Sequence, residues 1–159
     1  MTEEEVLGKL KDERMEFSVV EHKAVFTIQE MLEAGVPHPD LIAKNLFLRD
    51  DKKQKYYLVT VREDRKIDLK AFAAAHGTRR LSFASEEDLS RILGLSKGAV
   101  TPLGLLSDEE RKVVFFLDSY FRDRTIGVHP MVNTATVFMK AADLASLCLS
   151  HGNEMIWLD

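Results

Sequence analysis

The sequence predicts an α+β domain in which helices flank a central mixed β-sheet, and three observations lead there. Helix starts carrying their own caps recur along the chain, and short β-branched and aromatic runs lie between them. Two of those runs flank a polar tip suited to a hairpin, at 49–55. A hairpin demands antiparallel pairing, and strands interspersed with helices leave helices to cover the sheet. The chain of 159 residues has no Pro/Gly/Ser-rich linker, so residues 1–159 are expected to form one domain.

The elements follow in order. Thr2 with Glu5 forms a capping box, in which hydroxyl and carboxylate satisfy amides the first turn leaves unpaired, and Val6, Leu7 and Leu10 follow at helical spacing. A strand is expected over 17–21. Thr27 with Glu30 opens a second helix with Ile28, Met31 and Leu32 on its apolar face. Strands over 41–48 and 56–62 flank the polar tip. Asp68 caps a helix over 69–75 that Gly77 closes, and 80–83 reads as a strand. Ser85 with Asp88 opens the next helix, with Leu89, Ile92 and Leu93. Strands are then expected over 112–118, 125–129 and 134–139. A last helix over 141–150 aligns Leu144, Leu147 and Cys148 and stops at Gly152, before a strand over 155–158.

Composition excludes several classes. No apolar run approaches the ~20 residues of a membrane-spanning helix. The acidic start Met1-Thr2-Glu3-Glu4-Glu5 is unlike a signal peptide, so a cytoplasmic location is expected. One cysteine, Cys148, excludes an internal disulfide and any multi-cysteine metal site, and it falls in the apolar phase of its helix. His22, His38, His76 and His151 are scattered without metal-ligand spacing, so no metal site is expected. No nucleophile elbow, phosphate-cradling glycine loop or dinucleotide fingerprint is present. A net charge of −4 argues against a protein that coats nucleic acid, but not against one that grips a few phosphates.

Three places do not fit an ordinary core. In the 41–48 run Lys44 shares a face with Ile42, Leu46 and Leu48, while Asn45 shares the other with Leu41, Ala43 and Phe47. A strand buried on both sides should not carry them. Either Lys44 snorkels to water and Asn45 ties down a bulge, or the ammonium serves a partly dry cleft where it meets an anion. Gly98-Ala99-Val100-Thr101-Pro102-Leu103 is either a plain loop ending in a capped turn, or a turn presenting amides to an anionic ligand. His129, held extended by Pro130, is structural or a proton and hydrogen-bond partner for a substrate. The cluster Arg49, Lys52, Lys53, Lys55, Arg62, Arg65 and Lys66, with Arg79 and Arg80, is a solvated edge or an RNA-backbone contact.

Five segments, in order, carry a family resemblance. They are Glu21-His22-Lys23-Ala24-Val25-Phe26-Thr27, Lys44-Asn45-Leu46-Phe47-Leu48, Leu81-Ser82-Phe83-Ala84-Ser85, Gly98-Ala99-Val100-Thr101-Pro102-Leu103-Gly104-Leu105 and His129-Pro130-Met131-Val132-Asn133-Thr134-Ala135-Thr136-Val137. The chain resembles the family of YbaK, ProX-type proteins and the editing insertion of bacterial prolyl-tRNA synthetases. The Lys44-Asn45 pair and the segment from His129 look most like the ProX-type branch that acts on alanyl-tRNA(Pro). The resemblance implies hydrolysis of an aminoacyl ester, with Lys44 as the essential lysine and the Gly98, Ala99, Val100, Thr101, Pro102 loop at the substrate's 3′ end. Asn45 and His129 would hold the substrate, and Phe26 is expected in the pocket wall. It implies no metal or organic cofactor. Its partners would be mischarged tRNA, engaged through the 3′ CCA end and acceptor stem, and prolyl-tRNA synthetase. A cysteinyl-tRNA(Pro) deacylase of the same fold and a non-catalytic tRNA- or nucleotide-binding module are the competing expectations.

Overall fold

The computed structural model describes residues 1–159, and its strands fall into two sheets. The larger is the expected mixed sheet. It contains β2 (Ala43–Asp50), β3 (Tyr56–Arg62), β4 (Leu81–Phe83), β5 (Val113–Asp118) and β8 (Met155–Leu158), in the order β4-β2-β3-β5-β8. The β2–β3 hairpin and the β2–β4 pair are antiparallel, and β3–β5 and β5–β8 are parallel. The smaller sheet is antiparallel, β1 (Phe17–Glu21), β7 (Ala135–Lys140) and β6 (Thr125–Val128), with β7 central. A single parallel bridge, Ile42 to Gly127, joins the two.

The capped helices form where the spacing places them. Helix α1 (Glu3–Asp12) starts on the complete Thr2–Glu5 capping box. Helix α2 (Ile28–Glu33) is capped by the Thr27 hydroxyl, but the Glu30 carboxylate reaches the Phe26 amide instead of the cap residue's own. Asp68 caps α3 (Leu69–His76), and Gly77 ends it in a left-handed conformation. Ser85 caps α4 (Glu86–Asp88), which runs into a π-helical turn, Leu89–Leu93. Thr101 caps a 3-10 helix, Pro102–Ser107, and α5 (Ala141–His151) ends at Gly152.

Burial explains the sheet order. Strand β3 is buried on both faces, as a central strand must be. Leu58 turns into a core shared with Phe115, Leu117, α1 and α5, while Tyr57, Val59 and Val61 turn to the face that Phe72 of α3 covers. A third, smaller cluster (Val25, Met31, Val36, Ile42 and Phe138) fills the space under α2 where the two sheets meet. Gly127 makes that meeting close. A Cβ there would lie 2.8 Å from the Phe138 ring and 3.3 Å from Ile42. Gly127→Ala therefore forces a buried ring to move, and is expected to cost about 1–3 kcal/mol. Urea melts of the two proteins measure it; an unchanged midpoint would show that the joint is slack.

Candidate active site

Strand β4 pairs with β2 only from Leu48 to Asp50, and the bridge to Gly127 lies at Ile42. Between them one edge of β2 has no strand partner. A cavity of about 250 Å³ lies at this edge, lined by Val25, Phe26, Thr27, Ile28, Met31, Ile42, Ala43, Lys44, Asn45, Gly98, Val100 and His129. Because the cavity meets the edge of the strand, residues from both of its faces reach it. That is how Lys44 and Asn45, adjacent and oppositely directed, serve one site. Larger hollows exist, such as the 560 Å³ groove beside β1, but that one is lined by Glu16, Ser18 and Lys140 at an open surface.

Each polar group at the cavity is held by a neutral partner. Lys44 Nζ donates to the backbone carbonyl of Arg65 and makes no ion pair. Its positive charge is therefore left whole, with further N–H donors to spare. Asn45 Oδ1 accepts from the buried Thr60 hydroxyl at 2.6 Å, which fixes the amide and leaves Nδ2 as a free donor. No bulge is present at Asn45; the β2–β3 register runs through it without interruption. His129 Nδ1 donates to the Ala135 carbonyl at 2.9 Å, so Nε2 remains an acceptor without a protein partner. Burial chiefly, with His22 nearby, holds the His129 pKa below the ordinary histidine value, against the hydrogen bond to Ala135. The His22 and His129 rings lie 6.3 Å apart, and His22 Nε2 meets the Thr136 hydroxyl at 2.9 Å.

The Gly98 loop contributes in part. Gly98 and Val100 line the cavity, and their amides make no hydrogen bond within the protein. Ala99, Thr101 and Pro102 are buried behind them: the Ala99 amide is bonded to Ser96, and Thr101 and Pro102 start the 3-10 helix. Gly98 has φ of +89°, and a Cβ there would fall 2.5 Å from the Phe26 ring. Phe26 thus sits on the glycine backbone at the cavity mouth, 64% exposed, and is no core residue. Asn133 fastens this segment by donating from Nδ2 to the Val25 carbonyl at 3.0 Å. Met131, in the same loop as His129, is buried in a left-handed conformation (φ 72°), a strained choice for a non-glycine residue.

Several residues that line the cavity or hold its polar groups were not foreseen. Ile28 and Met31 read as the apolar face of a short helix, and Thr60 as one polar residue in a strand. The observed register, Arg49 opposite Tyr56, puts Thr60 opposite Asn45, whereas counting back from the expected tip at 49–55 puts Val59 there. Arg65 gave no signal for its part. Cys148 is fully buried, which pushes its pKa up to about 12 and leaves it inert as a nucleophile. The basic cluster is thinner than its composition suggests. Arg49, Arg62, Arg65 and Arg79 pair with Asp88, Asp64, Asp118 and Asp51, while Lys52, Lys53, Lys55, Lys66 and Arg80 make no ion pair.

Lys44 without an ion pair, the free Gly98 and Val100 amides and His129 thus meet around one small cavity, a candidate site for an anionic ligand. The chain belongs to the aminoacyl-tRNA editing domain family, whose model matches residues 22–147. It is 42% identical to the prolyl-tRNA editing protein ProX of Acetoanaerobium sticklandii over 149 residues, covering 93% of this chain and 91% of that protein. It is 38% identical to prolyl-tRNA synthetase associated domain-containing protein 1 of Bos taurus, covering 89% and 85%. A proposed trans-editing enzyme for prolyl tRNA synthetase has the same fold, with a TM-score of 0.72 at 21% identity over 99% of this chain and 96% of that one. No helix is long and apolar enough to cross a membrane.

The lowered pKa of His129 has a consequence for stability. The unfolded chain binds its proton at a higher pH than the folded one, so stability is full above about 6.5 and falls as pH drops toward the folded value. His129→Gln is expected to flatten that part of the curve, as read by urea midpoints between pH values of about 5 and 7.5. An unchanged slope would assign the acid sensitivity to other groups.

Proposed function

We propose that this chain, acting as one unit over residues 1–159, is a free-standing deacylase that hydrolyses mischarged alanyl-tRNA(Pro) in the cytoplasm. One observation carries the choice of amino acid. Behind the main cavity, off the shared walls Met31, Ile42, Ala43, Asn45 and His129, lies a recess of about 10 Å³ completed by Gly127, Val128 and Thr136. That is space for one small group, such as a methyl, and too little for a pyrrolidine ring. A synthetase pocket built for proline discriminates against a smaller side chain by only about 1–3 kcal/mol, so a second, smaller sieve is what fidelity requires.

The chemistry asks little of the protein, since an aminoacyl ester is already activated. Lys44 meets the phosphate of the terminal adenosine, which fixes the ester over the cavity. The Gly98 and Val100 amides face the ester carbonyl and stabilise the oxyanion that forms when water adds to its carbon. Collapse of that intermediate breaks the bond to the terminal ribose oxygen, which takes up the proton given up by the attacking water and leaves as the hydroxyl. His129 Nε2, neutral near pH 7, accepts from the substrate's α-ammonium, and the Asn45 amide donates to the bound amino acid. Phe26 closes the mouth. The free cations Lys52, Lys53, Lys55, Lys66 and Arg80 supply phosphate contacts for the acceptor stem. The names of the relatives bring prolyl-tRNA synthetase in as a second partner.

Side-by-side deacylation of alanyl-, cysteinyl- and prolyl-tRNA(Pro) tests this reading. Rapid loss of alanine, with proline spared and activity abolished in a folded Lys44→Ala protein, is the expected result. Preferred loss of cysteine would move the specificity, and no hydrolysis of any of the three would favour a binding module. Met31→Ala deepens the recess and is expected to raise hydrolysis of the cysteinyl and prolyl esters relative to alanyl. An unchanged ratio would remove the recess from the account of selectivity.

A further inference from the structure

We infer that Arg65 and Asp118 are positioning residues for Lys44, an inference that rests on Lys44 being the anchoring lysine proposed above. Asp118 ends β5 and is 4% exposed. Its carboxylate gathers three donors: the Arg62 amide on Oδ2 at 3.0 Å, the Tyr120 amide on Oδ1 at 3.0 Å, and Arg65 Nη1 on Oδ1 at 3.1 Å. Two of these belong to the turn that closes β3, itself shut by the Arg65 amide on the Arg62 carbonyl at 3.0 Å. The Arg65 guanidinium also donates to the Asp159 carbonyl at 2.7 Å, so the side chain is held at both ends of its fork. What this anchoring fixes is the Arg65 backbone, whose carbonyl is the protein acceptor for Lys44 Nζ.

The arrangement solves a charge problem. A lysine on a flexible four-carbon stem samples many rotamers and needs a fixed acceptor if it is to be ready for a ligand. A carboxylate in that place would hold it but cancel its charge. Here the carboxylate is spent on Arg65, and Lys44 receives only a neutral carbonyl. Arg65 therefore separates an acid from the ammonium it helps to place, and does not belong with the free cations of the RNA-facing edge.

The test is steady-state deacylation by Arg65→Ala, Asp118→Asn, their double variant and Arg65→Lys, beside Lys44→Ala, each with its folded fraction checked by circular dichroism. Arg65→Ala and Asp118→Asn are expected to lower kcat/KM by similar factors, on the order of tenfold for a misplaced anchoring group. The double variant should fall no further, and Arg65→Lys should recover part of the loss. Arg65→Ala is the informative variant if Asp118→Asn fails to fold, because Arg65 is partly exposed. Wild-type kcat/KM in folded Arg65→Ala, with Lys44→Ala inactive, overturns the positioning role alone; full activity in Lys44→Ala overturns the anchoring role beneath it. A direct phosphate contact by Arg65 predicts a different pattern: loss in Arg65→Ala, a salt slope of RNA binding reduced by about one, and no loss in Asp118→Asn, and that pattern also overturns the inference.

Discussion

A strand with one unpaired stretch organises this molecule. Strand β2 is covered by β3 along nearly its whole length, yet its other edge is bridged to Gly127 at Ile42 and covered by β4 only from Leu48. The opening spans a handful of residues, roughly 15 Å at strand rise. Segments from the rest of the chain converge there: 25–31 from beyond β1, the Gly98 loop from before the 3-10 helix, and His129 from the end of β6. The opening cannot close by further strand pairing, because Phe26 seated on Gly98 and the Asn133 clamp on Val25 hold the neighbouring segment across its mouth. The backbone there stays available to a ligand.

Much of this was legible in the residues, and the reasons are local. Caps declare themselves through a hydroxyl or carboxylate at a set distance from an apolar run, and Thr2, Thr27, Asp68, Ser85 and Thr101 all cap through their side chains, although of the three expected capping boxes only Thr2–Glu5 closes: Glu30 turns to the Phe26 amide and Asp88 to Arg91. The hairpin was readable because its tip is polar and its arms are not. Lys44 and Asn45 stood out because they break the burial rule of their strand, and His129 because Pro130 holds it extended at a strand end. The division into two sheets did not show, because it depends on one close approach between Gly127 and Ile42, 85 positions apart along the chain. Arg65 was invisible for a related reason: its backbone oxygen, not its side chain, faces the site, and a residue letter carries no information about a carbonyl.

Charge shows the same distinction between inventory and arrangement. The chain is net negative, and most arginines near the candidate RNA edge are already occupied by aspartates. What remains available is a few lysines and Arg80, together with Lys44, whose only protein partner is uncharged. Exposed charges act over about one Debye length, near 8 Å at physiological salt. Local attraction at the cavity therefore coexists with a repulsive overall charge, which suits brief engagement of one end of a nucleic acid better than coating it.

The joint between the two sheets bears on temperature. One wall of the recess belongs to the small sheet and the opposite wall to the large one, and a single bridge at Ile42 and Gly127 ties them together. Ile126, Val137 and Met139 of the small sheet also share one core with Phe47, Leu58 and Phe115 of the large one, so side-chain packing and that bridge together set the gap. On the reading proposed above, a size limit held by such packing loosens as thermal amplitude grows, so discrimination between a methyl and a ring is expected to relax before the fold melts.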